Sequence, residues 1–399
     1  MKAYVLRDIG RFGIEEVERP VPGPDEVIVQ VKAAGICGSD IPRIYYHGTY
    51  SYPLIPGHEY SGIVVEAEST AVKEADVQED SCNAGEDIYV GQAASWIGKR
   101  VGVFPLIPCG KCLPCRQKRY EMCRNYSYLG SRRDGGFAEY VSVPVWNLIE
   151  LPEEVTFEQA AMMEPMAVAV HAMRKVLQDK LMHTGNMPQI RIAICGLGTI
   201  GLFLLMFLKE AGYEDILVIG NKDIQKEKAF ALGISGEQYY DSRDGGAGAW
   251  LEQCAREKGI DVFFECVGVN ETVNLAVNHT APGGRVMLVG NPASDMVLDR
   301  QIYWKILRNQ LTLFGTWNSS YSKPFYNKGA DRQPAASCLS CDDQILEDDW
   351  QYVLNRLAAG RVHPEQMITH RYDFDGLIKG FELMRGKTEE YLKIMLQRI

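Results

Sequence analysis

Four cysteines, Cys109, Cys112, Cys115 and Cys123, stand in the order CxxCxxCx7C. Thiolates at this spacing can close a tetrahedron around one zinc ion at about 2.3 Å each, leaving no position for a substrate, so the set is expected to order a loop and not to react. An iron–sulfur cluster is the competing reading. The motif lacks the Cys-Pro ending of bacterial cluster motifs, however, and a closed thiolate site on a loop suits structural zinc better. A second group differs in kind. Cys37 in AAGICGSDIPRIY and His58 with Glu59 in IPGHEYSGIVVEA offer a thiolate, an imidazole and a carboxylate from two glycine-bearing loops. Glycine permits the tight turns that aim side chains into a cleft, and this donor set also suits zinc. Glu164 in MMEPMAVAVHA lies among apolar residues, where an unpaired charge is expensive, so a metal or arginine partner is expected for it. His171 in the same run is expected as a satisfied core histidine. Cys338 and Cys341 form one more CxxC, but the acidic neighbours in SCLSCDDQ oppose a thiolate, and both they and the isolated Cys82 read as free cysteines.

Gly196, Gly198 and Gly201 in GLGTIG, with Thr199 and Ile200 between them, follow a strand-like run ending at Cys195 and precede the helical run LFLLMFLKEAG. That context reads as a dinucleotide turn, in which a pyrophosphate rests on the exposed N–H groups of the helix N-terminus. An acidic residue about 20 positions on usually holds the ribose 2′-hydroxyl. Here Gly220 takes that place in ILVIGNKD, followed by Asn221 and Lys222. Loss of the acid removes repulsion and the lysine supplies a cation, which favours a 2′-phosphate and hence NADP. Asp223 does the acidic job if the register is shifted by a few residues.

Elements that would position these groups are legible in outline. Residues 1–160 carry short alternating runs such as EVIVQVKAAG and YSGIVVEA, punctuated by Gly and Pro, and predict a mostly β unit. Residues 161–316 open with helical spacing through AAMMEPMAVAVHAMRKVL and continue as alternating strands and helices, the pattern of a parallel βαβ sheet. Residues 317–399 end on YLKIMLQ and are expected to rejoin the first unit. Segments 69–94 and 323–343 lack a periodic pattern and read as insertions or long loops. The fold class is therefore α/β, with two units.

With 42 basic and 52 acidic residues the formal charge is −10, and no basic cluster marks a nucleic acid or anionic membrane as a partner. No run reaches the ~20 apolar residues of a membrane span, and no long apolar stretch follows the N-terminal lysine, so a cytoplasmic chain is expected. Eleven cysteines, an odd number, match a small disulfide scaffold poorly and favour metal ligation.

CGSD, GHEYSG, the four-cysteine lobe, GGFAEY and GLGTIG, in this order over nearly the whole chain, resemble the zinc-containing medium-chain alcohol and polyol dehydrogenases. CGSDIPRIY, PLIPCGKCLPC, YLGSRRDGGFAEY and WKILRNQLTLFGTW look most like the branch acting on polyol phosphates such as galactitol 1-phosphate, with sorbitol and threonine dehydrogenases as cousins. The resemblance implies a GroES-like mostly-β catalytic domain, a Rossmann doubly wound cofactor domain, two zinc ions and NAD(P). It also implies a catalytic zinc on Cys37 and His58, with Glu59 or Glu164 as carboxylate ligand and one open position for a substrate oxygen, where zinc lowers the pKa of a bound alcohol. Ser39 would accept the hydroxyl proton; relatives often carry a histidine where this chain has Pro42. Arg43, Arg132 and Arg133 are the candidates for a substrate phosphate, since guanidinium forks match phosphate oxygens. Trp317, Asn318, Tyr45 and Tyr46 are candidates to line the polyol site. A homodimer or homotetramer built by edge strands of the cofactor domains is the implied assembly. A threonine-type or simple alcohol dehydrogenase, and a non-catalytic nucleotide-binding zinc protein of the same fold, stay open as other readings.

Overall fold

The computed structural model describes residues 1–68, 93–181, 190–255, 259–322 and 347–397. Cys82, Cys338, Cys341 and the two unpatterned segments, apart from Ala93 and Ala94, lie outside these residues.

The first unit contains β1 (Lys2–Asp8), β2 (Arg11–Glu16), β3 (Glu26–Ile36), β4 (Glu59–Ala67), β5 (Arg100–Val103), β6 (Leu106–Ile107), β7 (Ser127–Tyr128), β8 (Tyr140–Pro144) and β9 (Leu148–Glu150), with two short helical turns, α1 (Asp40–Pro42) and α2 (Leu113–Arg116). β3 is its axis. Its β-branched residues Val27, Ile28, Val29 and Val31 are all buried, and it pairs antiparallel with β4 on one side and β8 on the other. A capping box between Thr156 and Gln159 starts α3 (Phe157–Ala161), and α4 (Met163–Leu181) carries the chain into the second unit.

That unit alternates as β10 (Ile192–Cys195), α5 (Thr199–Glu210), β11 (Ile216–Gly220), α6 (Asp223–Ala231), β12 (Tyr239–Asp241), α7 (Ala247–Ala255), β13 (Ile260–Glu265), α8 (Asn270–His279), β14 (Thr280–Leu288), α9 (Arg300–Arg308) and β15 (Thr312–Gly315). Among the described residues the strands form one parallel sheet in the order β12-β11-β10-β13-β14-β15. Strand order reverses between β10 and β13, which opens a crevice outside their C-terminal ends, the place where open α/β sheets bind ligands. The edge strand β15 leaves Leu313 exposed, and Trp304 and Leu307 of α9 are exposed as well.

The last segment supplies α10 (Asp349–Ala358), β16 (Ile368–Tyr372), α11 (Leu377–Gly386) and β17 (Lys393–Gln397). β17 pairs antiparallel with β3, placing Ile394 opposite Ile36, so the chain end lies beside the strand that delivers Cys37. Between the units α10 packs on α4 through a buried carboxylate. Asp349 accepts from Arg174 Nη1 at 2.9 Å, from Ser320 N and Oγ at 2.7 Å each, and lies 2.8 Å from His171 Nδ1. No described helix is long and apolar enough to cross a membrane.

Candidate active site

Cys37 follows the last residue of β3, while His58 and Glu59 meet it from the start of β4, where Glu59 pairs with Gly35 in the ladder. One ligand atom each from Cys37, His58 and Glu59 lies within 4.8 Å of the others, and His58 and Glu59 are buried. His58 Nδ1 is buried without a hydrogen-bond partner. A thiolate, an imidazole and a carboxylate converging in a low-dielectric pocket fit a zinc ion, which compensates the desolvation that each donor suffers there.

Asp40 supports the group from behind. It is fully buried, accepts from Cys37 N at 3.0 Å and Arg43 Nη1 at 2.8 Å, and stands 3.5 Å from His58 Nδ1. That last separation is too long for a hydrogen bond, but it places a carboxylate behind the imidazole. Burial opposes its ionisation, yet His58 and Arg43 hold the Asp40 carboxyl below the usual range. Glu59 is paired with Lys393, whose buried Nζ also donates to Ile36 O at 3.2 Å. The pair occupies the space over Gly35, where a Cβ would lie 2.3 Å from Glu59 Oε2, so a side chain at this position would displace the ends of Glu59 and Lys393. Glu164, second residue of α4, is outside the three-residue cluster and accepts from Tyr128 Oη at 3.0 Å; burial raises its carboxyl pKa. Tyr128 in turn meets the His58 ring edge-on at 5.9 Å. Ser39 Oγ donates to Cys37 Sγ at 3.3 Å.

Cys109, Cys112, Cys115 and Cys123 bring their sulfurs together on the loop around α2. Their contacts of 3.4 Å (Cys112–Cys115), 3.8 Å (Cys112–Cys123) and 4.0 Å (Cys109–Cys115) bracket the ~3.8 Å edge of a tetrahedron with 2.3 Å zinc–sulfur bonds. Backbone N–H groups of Arg124 and Cys115 hold the Cys112 thiol down to about 6, whereas burial pushes Cys115 up to about 12. A single bound cation would serve all four as thiolates.

In the second unit Gly196 has φ of +98°, and a Cβ on Gly201 would come within 2.0 Å of Gly196 O, so the turn closes only with glycine. Gly198 begins α5 with no side-chain cap, leaving the N–H groups of Thr199, Ile200 and Gly201 available. Gly220 ends β11; a Cβ there would meet Tyr239 Oη at 2.9 Å. Asn221 N donates to Gln225 Oε1, Lys222 Nζ lies 4.8 Å from the Tyr391 ring centre, and the Asp223 carboxylate is held by Arg243 at 2.5 Å. The two centres meet through the chain end: Leu392 O accepts from Thr199 Oγ1 at the start of α5, and the next residue, Lys393, holds Glu59.

The residues expected to touch substrate are dispersed. The Arg133 guanidinium binds Glu26 at 2.7 Å, at the opposite end of β3 from Cys37, in a groove with Met1 and Val17 that Arg132 also lines. Arg43 is likewise committed to Asp40. Arg132 lies between the rings of Tyr50 and Tyr126, 4.3 Å from each centre, and Tyr126 meets Tyr128 edge-on. Tyr45 packs under Arg385, Tyr46 and Trp317 are exposed, and Asn318 Nδ2 donates to Glu121 O in the cysteine lobe. Asp40, Lys393 and Tyr128 were not singled out from the sequence. Asp40 had a signal, an acid within CGSD beside a candidate ligand; the other two carried none.

Comparisons with known proteins identify the family and the fold. The family described as alcohol dehydrogenase GroES-like domain matches residues 23–153, and that described as zinc-binding dehydrogenase matches residues 199–330. Galactitol 1-phosphate 5-dehydrogenase of Escherichia coli is 30% identical over 94% of both chains. The crystal structure of galactitol-1-phosphate dehydrogenase from Escherichia coli covers 100% of both chains with a TM-score of 0.78 at 28% identity. L-threonine 3-dehydrogenase of Pyrococcus horikoshii is 28% identical over 94% of both chains. A zinc-binding dehydrogenase from Sinorhizobium meliloti, bound to NADP, matches with a TM-score of 0.75 at 25% identity, covering 100% of this chain and 99% of its own.

Proposed function

Because the chain belongs to the zinc-dependent medium-chain dehydrogenase family, we propose that it moves a hydride between NADP and a secondary alcohol of a polyol or polyol phosphate. The observation that carries this reading is the bridge of consecutive residues, Leu392 and Lys393, which joins the dinucleotide turn to the Cys37, His58 and Glu59 cluster. Hydride donor and acceptor must lie within contact distance, and this bridge sets the two half-sites side by side.

Cys37, His58 and Glu59 hold the metal, which when bound supplies the Lewis acidity that makes an alcohol proton acidic near neutral pH. Ser39 donates its hydroxyl hydrogen to Cys37 Sγ, so its lone pairs would be free to accept a hydrogen bond from the substrate hydroxyl and orient it. Glu164, kept more basic than usual by burial and tied to Tyr128, is the reserve carboxylate. Four cysteines, 109, 112, 115 and 123, hold the second, structural zinc. Asp40 orients His58 and braces the Cys37 loop. Asp40→Asn is therefore expected to weaken zinc binding at the Cys37 site by about 10–100-fold, measured by competition with a metallochromic chelator, with the four-cysteine site unaffected.

Three features support NADP over NAD: the missing acid at Gly220, the cation at Lys222, and the engagement of Asp223 by Arg243. Arg132 supports a phosphorylated substrate. Its guanidinium lies 4.3 Å from the ring centres of Tyr50 and Tyr126, and ring contacts run on through Tyr128 to His58, so an anion bound there would need little further ordering of the arginine.

Initial rates, followed by nicotinamide absorbance with galactitol 1-phosphate, sorbitol and threonine against both cofactors, test the reading. The phosphorylated polyol with NADP is expected to exceed the free polyol by at least about tenfold in kcat/KM, and Arg132→Ala to erase that margin. Turnover of free polyols alone would remove the phosphate, turnover of threonine alone would remove the polyol, and a lower KM for NAD would remove the NADP preference.

A further inference from the structure

Glu265 closes β13 at the point where the strand order reverses, and it is buried, with 1% exposure. Its Oε1 accepts three hydrogen bonds of 2.8 Å, from Val267 N, Gly268 N and Thr272 Oγ1. Its backbone carbonyl accepts two more, from Val289 N at 2.8 Å and Gly290 N at 2.9 Å. One residue thus anchors both loops that leave the C-terminal ends of β13 and β14. These loops touch backbone to backbone: Gly268 has φ of +85°, and a Cβ on Gly290 would lie 2.1 Å from Gly268 N.

The loop so fixed presents apolar side chains outward. Val267 and Val269 are 43% and 40% exposed at the mouth of the crevice, and Val267 Cγ2 borders the dinucleotide turn, 2.6 Å from where a Cβ on Gly196 would stand. Valines held out of the core beside a phosphate turn offer a surface for a flat, apolar-faced ligand. A carboxylate is suited to hold them, because a single anionic oxygen can satisfy several N–H and O–H donors at once.

We propose that Glu265 is a positioning residue for the cofactor: its Oε1 sets the loop 266–269 so that Val267 and Val269 flank the bound dinucleotide. The proposal rests on the hydride-transfer reading above. It assigns the effect to a placed oxygen and not to net charge, which separates three substitutions. Glu265→Leu removes every acceptor. Glu265→Asp keeps the charge but draws the oxygen back by about 1.5 Å. Glu265→Gln keeps an oxygen where Oε1 stands.

Dissociation constants for NADP and NAD on the zinc-loaded protein, measured by calorimetry, are expected to rise by about tenfold or more for Glu265→Leu, by a smaller factor for Glu265→Asp, and by less than about threefold for Glu265→Gln. Amide exchange at residues 267 and 268 should quicken in the same order, with KM for the alcohol moving less than KM for the cofactor. If the leucine variant does not fold, the ordering of the aspartate and glutamine variants decides. Weaker binding by Glu265→Gln than by Glu265→Asp overturns the inference, as does wild-type affinity in all folded variants with only the melting temperature lowered. Wild-type protein that binds neither dinucleotide overturns the hydride-transfer reading and this inference with it; wild-type binding matched by every variant overturns this inference alone.

Discussion

Replacing Cys37 by serine is expected to lower kcat/KM by at least about 10³-fold, a loss of about 4 kcal/mol in transition-state stabilisation, while the fold and the four-cysteine lobe persist. Serine is nearly isosteric, but its hydroxyl does not ionise near neutral pH, and zinc prefers thiolate to a neutral hydroxyl. The substitution also removes the sulfur that accepts from Ser39 Oγ. His58 and Glu59 would be left buried as two donors without the third. Initial rates with a polyol phosphate check the loss. Zinc content checks its cause, falling from two to one per chain. A change confined to KM would instead mean that Cys37 serves only uniform binding of the substrate.

The second large effect is on stability. Asp349 has a side chain only 3% exposed and serves His171 and Arg174 of α4 and Ser320 of the segment after β15. Removing one member of such a buried charge group leaves the others uncompensated, so Asp349→Ala is expected to cost about 3–5 kcal/mol in urea unfolding. Acid should act through the same carboxyl. Burial opposes its ionisation, but His171, Arg174 and Ser320 outweigh burial and hold its pKa below the ordinary carboxylate value. A carboxyl depressed in the folded state contributes stability that is present above its unfolded pKa and disappears as pH falls through the folded one. The urea midpoint of the wild type should therefore drop below about pH 4 more steeply than that of Asp349→Asn, which has no carboxyl to protonate. Parallel midpoints for the two proteins across that range would contradict the assignment.

Features written into local spacing were legible in the chain. CxxCxxCx7C brings four sulfurs together because a short loop leaves them nowhere else to go. GLGTIG forms its turn because strand, glycines and helix are contiguous. Cys37, His58 and Glu59 flank adjacent antiparallel strands, so their meeting follows once β3 and β4 pair. What the chain concealed is the set of partners that arrive by tertiary register. Lys393 lies 334 positions from Glu59 and reaches it only because β17 docks against β3. Tyr128 reaches Glu164 because β7 faces the start of α4. Arginines are the hardest to read, since a long flexible side chain takes the nearest buried or half-buried acid. Arg133 took Glu26 and Arg43 took Asp40, neither of which spacing ties to a substrate. Of the three only Arg132, stacked between tyrosines, has its guanidinium in no ion pair with a carboxylate among the described residues.

Stepwise zinc removal with turnover measured at each step addresses the central claim, that the Cys37, His58 and Glu59 cluster holds the metal on which hydride transfer depends. Dialysis against a chelator should strip the Cys37 site before the closed four-thiolate site, because one thiolate, one imidazole and one carboxylate with an open position hold zinc less tightly than four thiolates. The expected result is activity that falls in proportion to the first zinc lost, returns on adding zinc back, and is never recovered by Cys37→Ser, with circular dichroism unchanged throughout. Full turnover by protein retaining only the four-cysteine zinc, or two zinc ions still bound by Cys37→Ser, would contradict the account.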